Sequence, residues 1–342
     1  MQKLLTFLRR LRTMSLARMK MYAEKAAAES GRSAWIIMLD MVRCTFAYGV
    51  GYLDYLTFGF AHQKAAARRT YMNMNDNLRL VRSLNDNEAR DVFEDKLKFA
   101  NAFSDFMRRD FIDLRKTNAE GLSAFCERNG VVFAKKTHDF GGHGVERVRA
   151  EDISDRASLY ERLNASKMYL VEQGVEQHAE MNRLSPKSVN TVRVVTLEKS
   201  GDIHVMYSLI RMGSGDSFVD NISSGGMYAP LNEKGVITAS AFCDKLGEYF
   251  EEHPATHTRI VGFEVPMFGE AIEMVKRAAE RAEGVRYIGW DVAIAADGPL
   301  LIEGNTIPSY DMCQNYRHLG PAKLGVKPRF VEVLGEEFYK ER

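Results

Sequence analysis

The sequence predicts an α+β protein with a mainly helical N-terminal region. Residues 31–94 are rich in Met, Ala, Leu and Arg and read in helical style. Residues 188–197 are dense in β-branched side chains, as a strand requires. Two stretches near the C-terminus, 287–294 and 299–305, alternate apolar and small or polar residues with the period of a strand.

In chain order, residues 1 to about 30 read as helix, with Leu4, Leu8 and Leu11 spaced for one face. Lys3, Arg9, Arg10, Arg12, Arg18 and Lys20 make the first twenty residues wholly basic. A basic amphipathic helix either lies on an anionic membrane or packs, solvated, on its own domain. The run 34–50 comes nearest to a membrane span, but Asp40 and Arg43 interrupt it. Arg68, Arg69 and Tyr71 suit structural roles better than an active site.

Asp95 and Lys96 open a helix that reads to about residue 109. A lysine at a helix start faces the unfavourable end of the dipole, which an anion there would relieve. Residues 131–136 read as a strand ending in Lys135 and Lys136, followed by a loop with Gly141, Gly142 and Gly144. Such a loop can fold its backbone N–H groups over phosphates, or it is simply a hairpin turn. It is not a P-loop, because the lysine precedes the glycines. His138 and His143 read as loop residues. Residues 168–175 form another strand with a polar elbow, where backbone amides beside an acidic side chain could pair with adenine.

The strand at 188–197 carries Asn190 and Arg193, and 203–211 is its antiparallel partner across a turn at 200–202. Arg193 and Arg211 either line an anion site or form surface salt bridges. The polar loop 220–227 wraps a substrate or merely turns. Residues 267–282 form an amphipathic helix with Ile272, Val275 and Ala279 inward, and a short helix follows Pro328.

The strongest chemical signal is the C-terminal hairpin. A three-residue loop, Ala296-Asp297-Gly298, would pair residue 295 with 299 and set Asp291 opposite Glu303. Leu301, Glu303 and Asn305 would then share a face. Two carboxylates directly opposite one another repel. A hard divalent cation removes the conflict, and the Asn305 amide oxygen would add a third ligand. A solvated acidic face is the alternative for an isolated pair.

Composition limits the function classes. Apolar content of 45%, charged content of 27% and a formal net charge of +1 fit a soluble globular protein with no bulk drive toward nucleic acid. Cys44, Cys126, Cys243 and Cys313 have neither metal-site nor redox spacing, which suits a reducing cytoplasm. No Ser/His/Asp or Cys/His constellation is evident.

Taken together and in order, these motifs resemble the ATP-grasp superfamily, and within it the sugar-transfer-associated ATP-grasp proteins. The resemblance covers roughly residues 40–320. It rests on Asp95-Lys96, the strand and glycine loop at 135–145, 171–175, 188–193, Asp220-Asn221 with Gly225-Gly226, and Gly289-Trp290-Asp291 followed by Glu303-Gly304-Asn305. It implies two α+β lobes clamping ATP, a small one at 95–178 and a C-terminal one at 179–342, after a helical region at 1–94. Lys96, Lys135, Gly141 and Gly142 would hold phosphates, with Lys135 preferred to Lys136 by its distance to the glycine pair. Glu172, Gln173 and Val175 would hold adenine, and Glu180 the ribose. Arg193 and Arg211 would meet the γ-phosphate and a developing acyl phosphate. Asp291, Glu303 and Asn305 would bind Mg²⁺. Asp220, Asn221, Gly225 and Gly226 would meet substrate. Ordinary members begin with a small α/β domain, where this chain reads as helical.

The activity implied is an ATP-dependent carboxylate–amine ligase forming an amide through an acyl phosphate. Its substrate would be a sugar acid or amino acid in polysaccharide or natural-product assembly. A hydroxyl-phosphorylating kinase on the same fold, or a nucleotide-binding protein without turnover, are the alternatives.

Overall fold

The computed structural model describes residues 15–138, 144–215, 220, 222 and 225–340. These fall into two compact units. One is formed by the described residues up to Arg79 together with those from Ser309, the other by Leu80–Pro308.

The first unit is helical. Helix α1 (Leu16–Ser30) starts at Ser15, whose Oγ accepts from the Arg18 amide, and ends at Gly31. Helix α2 (Ala34–Tyr48) ends at Gly49; both glycines sit at φ +68°, where a side chain would be strained. The unit is tied together by a buried charge. Arg68 donates to both oxygens of Asp40, at 3.1 and 2.6 Å, and the Tyr55 hydroxyl adds a bond at 2.8 Å. Burial pushes the Asp40 carboxyl up, but Arg68 and Tyr55 outweigh it and hold it below the usual range. Arg68 is therefore structural. Farther along the chain, Gln314 brackets Met72, accepting from its amide at 2.8 Å and donating to its carbonyl at 3.0 Å. The basic stretch with Leu4, Leu8 and Leu11 lies outside the described residues.

The second unit holds two antiparallel sheets. The smaller comprises β1 (Phe111–Asp113), β2 (Val131–Lys135), β3 (Val145–Arg149) and β4 (Leu170–Gln173), in the order β1-β4-β2-β3. Helix α3 (Lys96–Ala102) precedes it. The expected longer helix is interrupted at Phe103 and resumes only over Ser104–Met107. Helices α4 (Ala119–Asn129) and α5 (Arg156–Ala165) cover one face, packing Leu122, Phe125 and Leu163 on Val132, Ala134 and Val171.

The larger sheet has seven strands: β5 (Thr191–Lys199), β6 (Asp202–Met212), β7 (Met227–Pro230), β8 (Ala241–Cys243), β9 (Glu248–Phe250), β10 (Tyr287–Ala295) and β11 (Gly298–Asn305). Their order is β11-β10-β5-β6-β7-β8-β9. Ser200 and Gly201, at φ +57° and +91°, make the tight β5–β6 turn, matching the twist of its strands. Helix α6 (Phe268–Arg281) buries Ala271, Met274, Val275 and Ala278 in the main core, which also holds Ile288, Trp290, Val292 and Ile294.

The C-terminal hairpin reaches the expected pairing by another route. Its loop has two residues, with Ala295 opposite Gly298, so the register near the turn is one residue off the expected one. A β-bulge between Val292 and Asp291 takes up Ile302, and Asp291 then lies opposite Glu303. The same bulge corrects the expected face of β11. Leu301 pairs with Val292 and joins the main core, whereas Glu303 lies with Asp291. The glycine between Glu303 and Asn305 has its own cause. A Cβ at Gly304 would come within 2.8–2.9 Å of the Phe93 ring and 3.2 Å of Phe99. Gly304→Ala should cost about 1–3 kcal/mol through overpacking, read as a lowered denaturant midpoint with unchanged m-value.

Candidate active site

On the larger sheet, strand pairing places a row of charges side by side. Arg193 on β5 is the direct cross-strand neighbour of Asp291 on β10, and Asp291 of Glu303 on β11. Arg193 grips Asp291 with two nitrogens, Nε to Oδ1 and Nη2 to Oδ2, the latter at 2.9 Å. Arg211, from β6, lies 3.3 Å from the same carboxylate through Nη1 and donates to Asp220 at 2.9 Å through Nη2. Asp220 accepts in turn from the amide and hydroxyl of Thr191. All four charged side chains of this network are buried.

Burial raises the Asp291 carboxyl, but Arg193 and Arg211 outweigh it, so Asp291 stays ionised. Glu303 has no such clamp. Burial and the neighbouring Asp291 charge push it up, against weaker opposition from Lys96, Arg211 and Lys135. Asn305 stands beside both acids, its Nδ2 3.4 Å from Asp291 Oδ2 and from Glu303 Oε1. The donor set suits a hard cation. Glu303 and a turned Asn305 amide supply oxygens where charge conflict is unrelieved, and Asp291 could share one already held by arginine. Among the described residues, no three His, Cys, Asp or Glu side chains form a metal cluster, so Asn305 is essential to this set.

The smaller sheet contributes a second buried hub. Glu172 on β4 accepts from Lys135 on β2 and from Arg109 Nη2 at 2.9 Å. Burial raises its carboxyl, while Arg109 and Lys135 together bring it below the usual range. Arg109 also donates to Leu301 O at 2.5 Å and Ile302 O at 3.4 Å. It thus fastens the small sheet to the bulge that sets the acidic face of β11. Lys96, with Asp95 capping its helix, donates its amide to Thr137 O at 3.0 Å. Lys96, Lys135, Glu172, Glu303 and Asn305 line one small cavity of about 30 Å³, with Phe93, Phe99 and Ile302 among its apolar walls.

The structure therefore gathers Lys96, Lys135, Glu172, Glu303 and Asn305 at the cavity, with Asp291 adjoining Glu303. Arg193 and Arg211 are drawn onto Asp291 and Asp220. The amides of Gln173 and Gly174 are taken by Asp110 O and Val131 O, and Val175 packs on the apolar patch of Ala293, Ala295 and Leu300. Glu180 stands apart, exposed and paired with Arg183 at 2.7 Å. Gly225 turns at φ +100°, its carbonyl accepting from Ser214 Oγ, and Gly226 leads into β7. Gly141, Gly142 and Asn221 lie outside the described residues.

Arg109 was not legible as a site residue, because a lone arginine after a helix carries no pattern. Gln177 was equally silent. Its side chain accepts from the Asn190 amide at 2.7 Å and side chain at 3.0 Å, and donates to Ser185 O and Ser188 O. This network anchors the start of β5, two strand positions from Arg193.

Two antiparallel α+β lobes meeting over basic and acidic side chains define an ATP-grasp fold. The family model for sugar-transfer-associated ATP-grasp proteins matches residues 129–320, more than half of the sequence, and the chain belongs to that family. Among solved structures, the chain is similar to the ATP-grasp ligase PsnB complexed with minimal precursor, at 14% identity, TM-score 0.45, and 73% and 64% coverage of this chain and that one. D-alanyl-alanine synthetase A from Vibrio cholerae is similar at 16% identity, TM-score 0.42, and 75% and 66% coverage. N5-carboxyaminoimidazole synthetase from Staphylococcus aureus complexed with ADP is similar at 10% identity, TM-score 0.44, and 74% and 54% coverage. The chain thus spans less than two thirds of each of the first two lengths and about half of the third. No curated protein matches it. The family assignment rests on the sequence match.

The Glu172 hub predicts an acid-side instability. Its folded carboxyl is depressed, so its stabilisation is complete above the ordinary value of 4.5 and vanishes as the pH falls through the lower folded value. Glu172→Gln should cost about 3–5 kcal/mol near neutrality by stranding the buried Arg109 and the half-buried Lys135. The difference from the parent chain should shrink on acidification, as followed by urea melts between pH 7 and 3.

Proposed function

We propose that this protein is an ATP- and Mg²⁺-dependent ligase that joins a carboxylate to an amine through an acyl phosphate. The observation that carries the reading is the convergence of Lys96, Lys135, Glu303 and Asn305 on one cavity beside the arginine-held Asp291. Two lysines supply point charges for phosphate oxygens. Glu303, Asn305 and Asp291 would hold the metal, which when bound neutralises charge on the transferring phosphates. Arg193 and Arg211 act first as positioning residues, keeping Asp291 ionised and fixed. The buried Arg211 Nε, which has no hydrogen-bond partner, is a donor available to an added anion.

In the reaction, a substrate carboxylate oxygen attacks the γ-phosphorus, the bond from that phosphorus to the β-γ bridging oxygen breaks, and ADP leaves. The amine nitrogen then attacks the acyl carbon, phosphate leaves, and the nitrogen loses a proton to solvent. No side-chain nucleophile is needed. Positioning and electrostatics carry the catalysis. A cavity of about 30 Å³ is far below the roughly 300–1,000 Å³ of ordinary ligand pockets, so a nucleotide would need its lining side chains, the Lys135–Glu172 pair among them, to rearrange. The acceptor pair, a sugar acid or amino acid with an amine, fits assembly of a polysaccharide or related product. Substrate contacts would come from the segment around Asp220, Asn221, Gly225 and Gly226, and Glu180 would reach the ribose only after movement.

Turnover is best measured as ADP release over a panel of carboxylates, each with and without amines. Hydroxylamine should trap a hydroxamate in the presence of the correct acid. A stable phosphate ester instead would make the protein a kinase. Asp291→Asn and Glu303→Gln should each remove turnover while leaving the melting profile cooperative; activity surviving both would sink the metal assignment.

Millimolar MgATP should also raise the melting temperature. Ligand at about 100 times Kd adds roughly 2.7 kcal/mol. Lys135→Ala should weaken this protection at least tenfold in ligand concentration, whereas no protection of the parent chain would refute the nucleotide site.

A further inference from the structure

Helix α2 is apolar on both sides. Ile37, Met41 and Cys44 are buried in the helical unit. On the opposite side Trp35, Leu39, Val42 and Phe46 follow the i, i+4, i+7, i+11 spacing of one face, with exposures of 63%, 55%, 40% and 62%. Ile36 adds to the same surface at 42%, and Arg43 is the only exposed residue of the helix that is not apolar. Single exposed hydrophobics need no explanation, but a contiguous stripe marks an interaction surface.

The geometry points to an anionic membrane surface as the occupant, with α2 lying in the headgroup region. Length excludes a span. Fifteen residues rise about 22 Å, short of the roughly 30 Å hydrocarbon layer, and no described helix is long and apolar enough to cross. Trp35 at one end is a side chain that favours a membrane interface, and Phe46 at the other belongs with Leu39 on the apolar face such helices bury. Charge decides between partners. Residues 1–20, which lead into the helical unit, carry six cations and no acid. Arg32, Arg43 and the buried Arg68 all reach Asp40, the one acid of α2, at 3.8, 3.3 and 2.6 Å, so three cations share one carboxylate and the cluster is left net positive. A second copy would bring these cations against their like, whereas anionic headgroups complement them. Arg43 can keep its head in the phosphate layer while its stem lies on the apolar face.

The two tryptophans make a direct test possible. Trp290 is wholly buried in the sheet core, so a change on vesicle addition reports Trp35. The full-length chain should co-sediment with phosphatidylcholine vesicles containing 30% phosphatidylserine, and at least fivefold less with phosphatidylcholine alone or at 0.5 M NaCl. Tryptophan emission should shift to the blue and be quenched by brominated acyl chains. In Trp35→Phe the spectral response should vanish while sedimentation persists. Leu39→Ser with Val42→Ser, checked for an unchanged melting profile, should lower vesicle affinity at least fivefold. Three outcomes overturn the inference: no sedimentation with anionic vesicles, binding indifferent to Leu39 and Val42, or a free protein whose Trp35 is already shielded from acrylamide. The last would mean cover by residues 1–14, or by a second copy if a dimer appears that the double substitution dissociates.

Discussion

The grip of Arg193 on Asp291 is the interaction on which the site depends. A buried carboxylate is tolerated only if its charge is met, and here two arginines from neighbouring strands meet it. Because Asp291 is thereby kept ionised, the burden of like charge falls on Glu303 across the hairpin. That residue is pushed up by burial and by its neighbour. One acid is fixed by the sheet and the other is left in conflict, which is the electrostatic state that makes a cation welcome.

The same logic runs through the small sheet. Glu172 is met by Lys135 and Arg109, and Arg109 continues to the carbonyls of Leu301 and Ile302. The hub and the acidic row are thus one mechanical system. Lys135, the acid that holds it, and the backbone just before Glu303 are linked in series through Glu172 and the Arg109 guanidinium.

Much of this was legible in the sequence, for identifiable reasons. Period-two alternation marked β10 and β11, β-branched density marked β5, and the helix at 268–281 shows its apolar stripe plainly. Asp291 opposite Glu303 was also foreseen, but through a three-residue loop and no bulge. The real hairpin has a two-residue loop and one bulge, and the two differences cancel at the acids while leaving Leu301 on the other face. Tertiary partners were not legible. Nothing local says that Lys135 pairs with Glu172, that Arg109 reaches Leu301 almost two hundred residues away, or that Gln177 organises Asn190. The exposed stripe of α2 was hidden for the opposite reason. With apolar residues on both sides and only Asp40, Arg43 and Thr45 as polar breaks, the run reads as a near-span and not as a two-faced surface helix.

The bulge at Ile302 has a further consequence. It makes the placement of Glu303 a matter of counting rather than of chemistry. On a strand, each residue added or removed turns every later side chain to the other face. The tip at Ala296 and Asp297 is exposed and would ordinarily tolerate length change. Between the tip and Glu303 lie five residues, one more than regular pairing needs, and Arg109 holds the carbonyls of the two residues where the extra one is taken up. Substitutions along 299–302 can therefore drift among apolar residues. A single-residue deletion there can be absorbed by loss of the bulge with Glu303 still opposite Asp291, whereas a further insertion must widen the bulge or turn the carboxylate toward the core face.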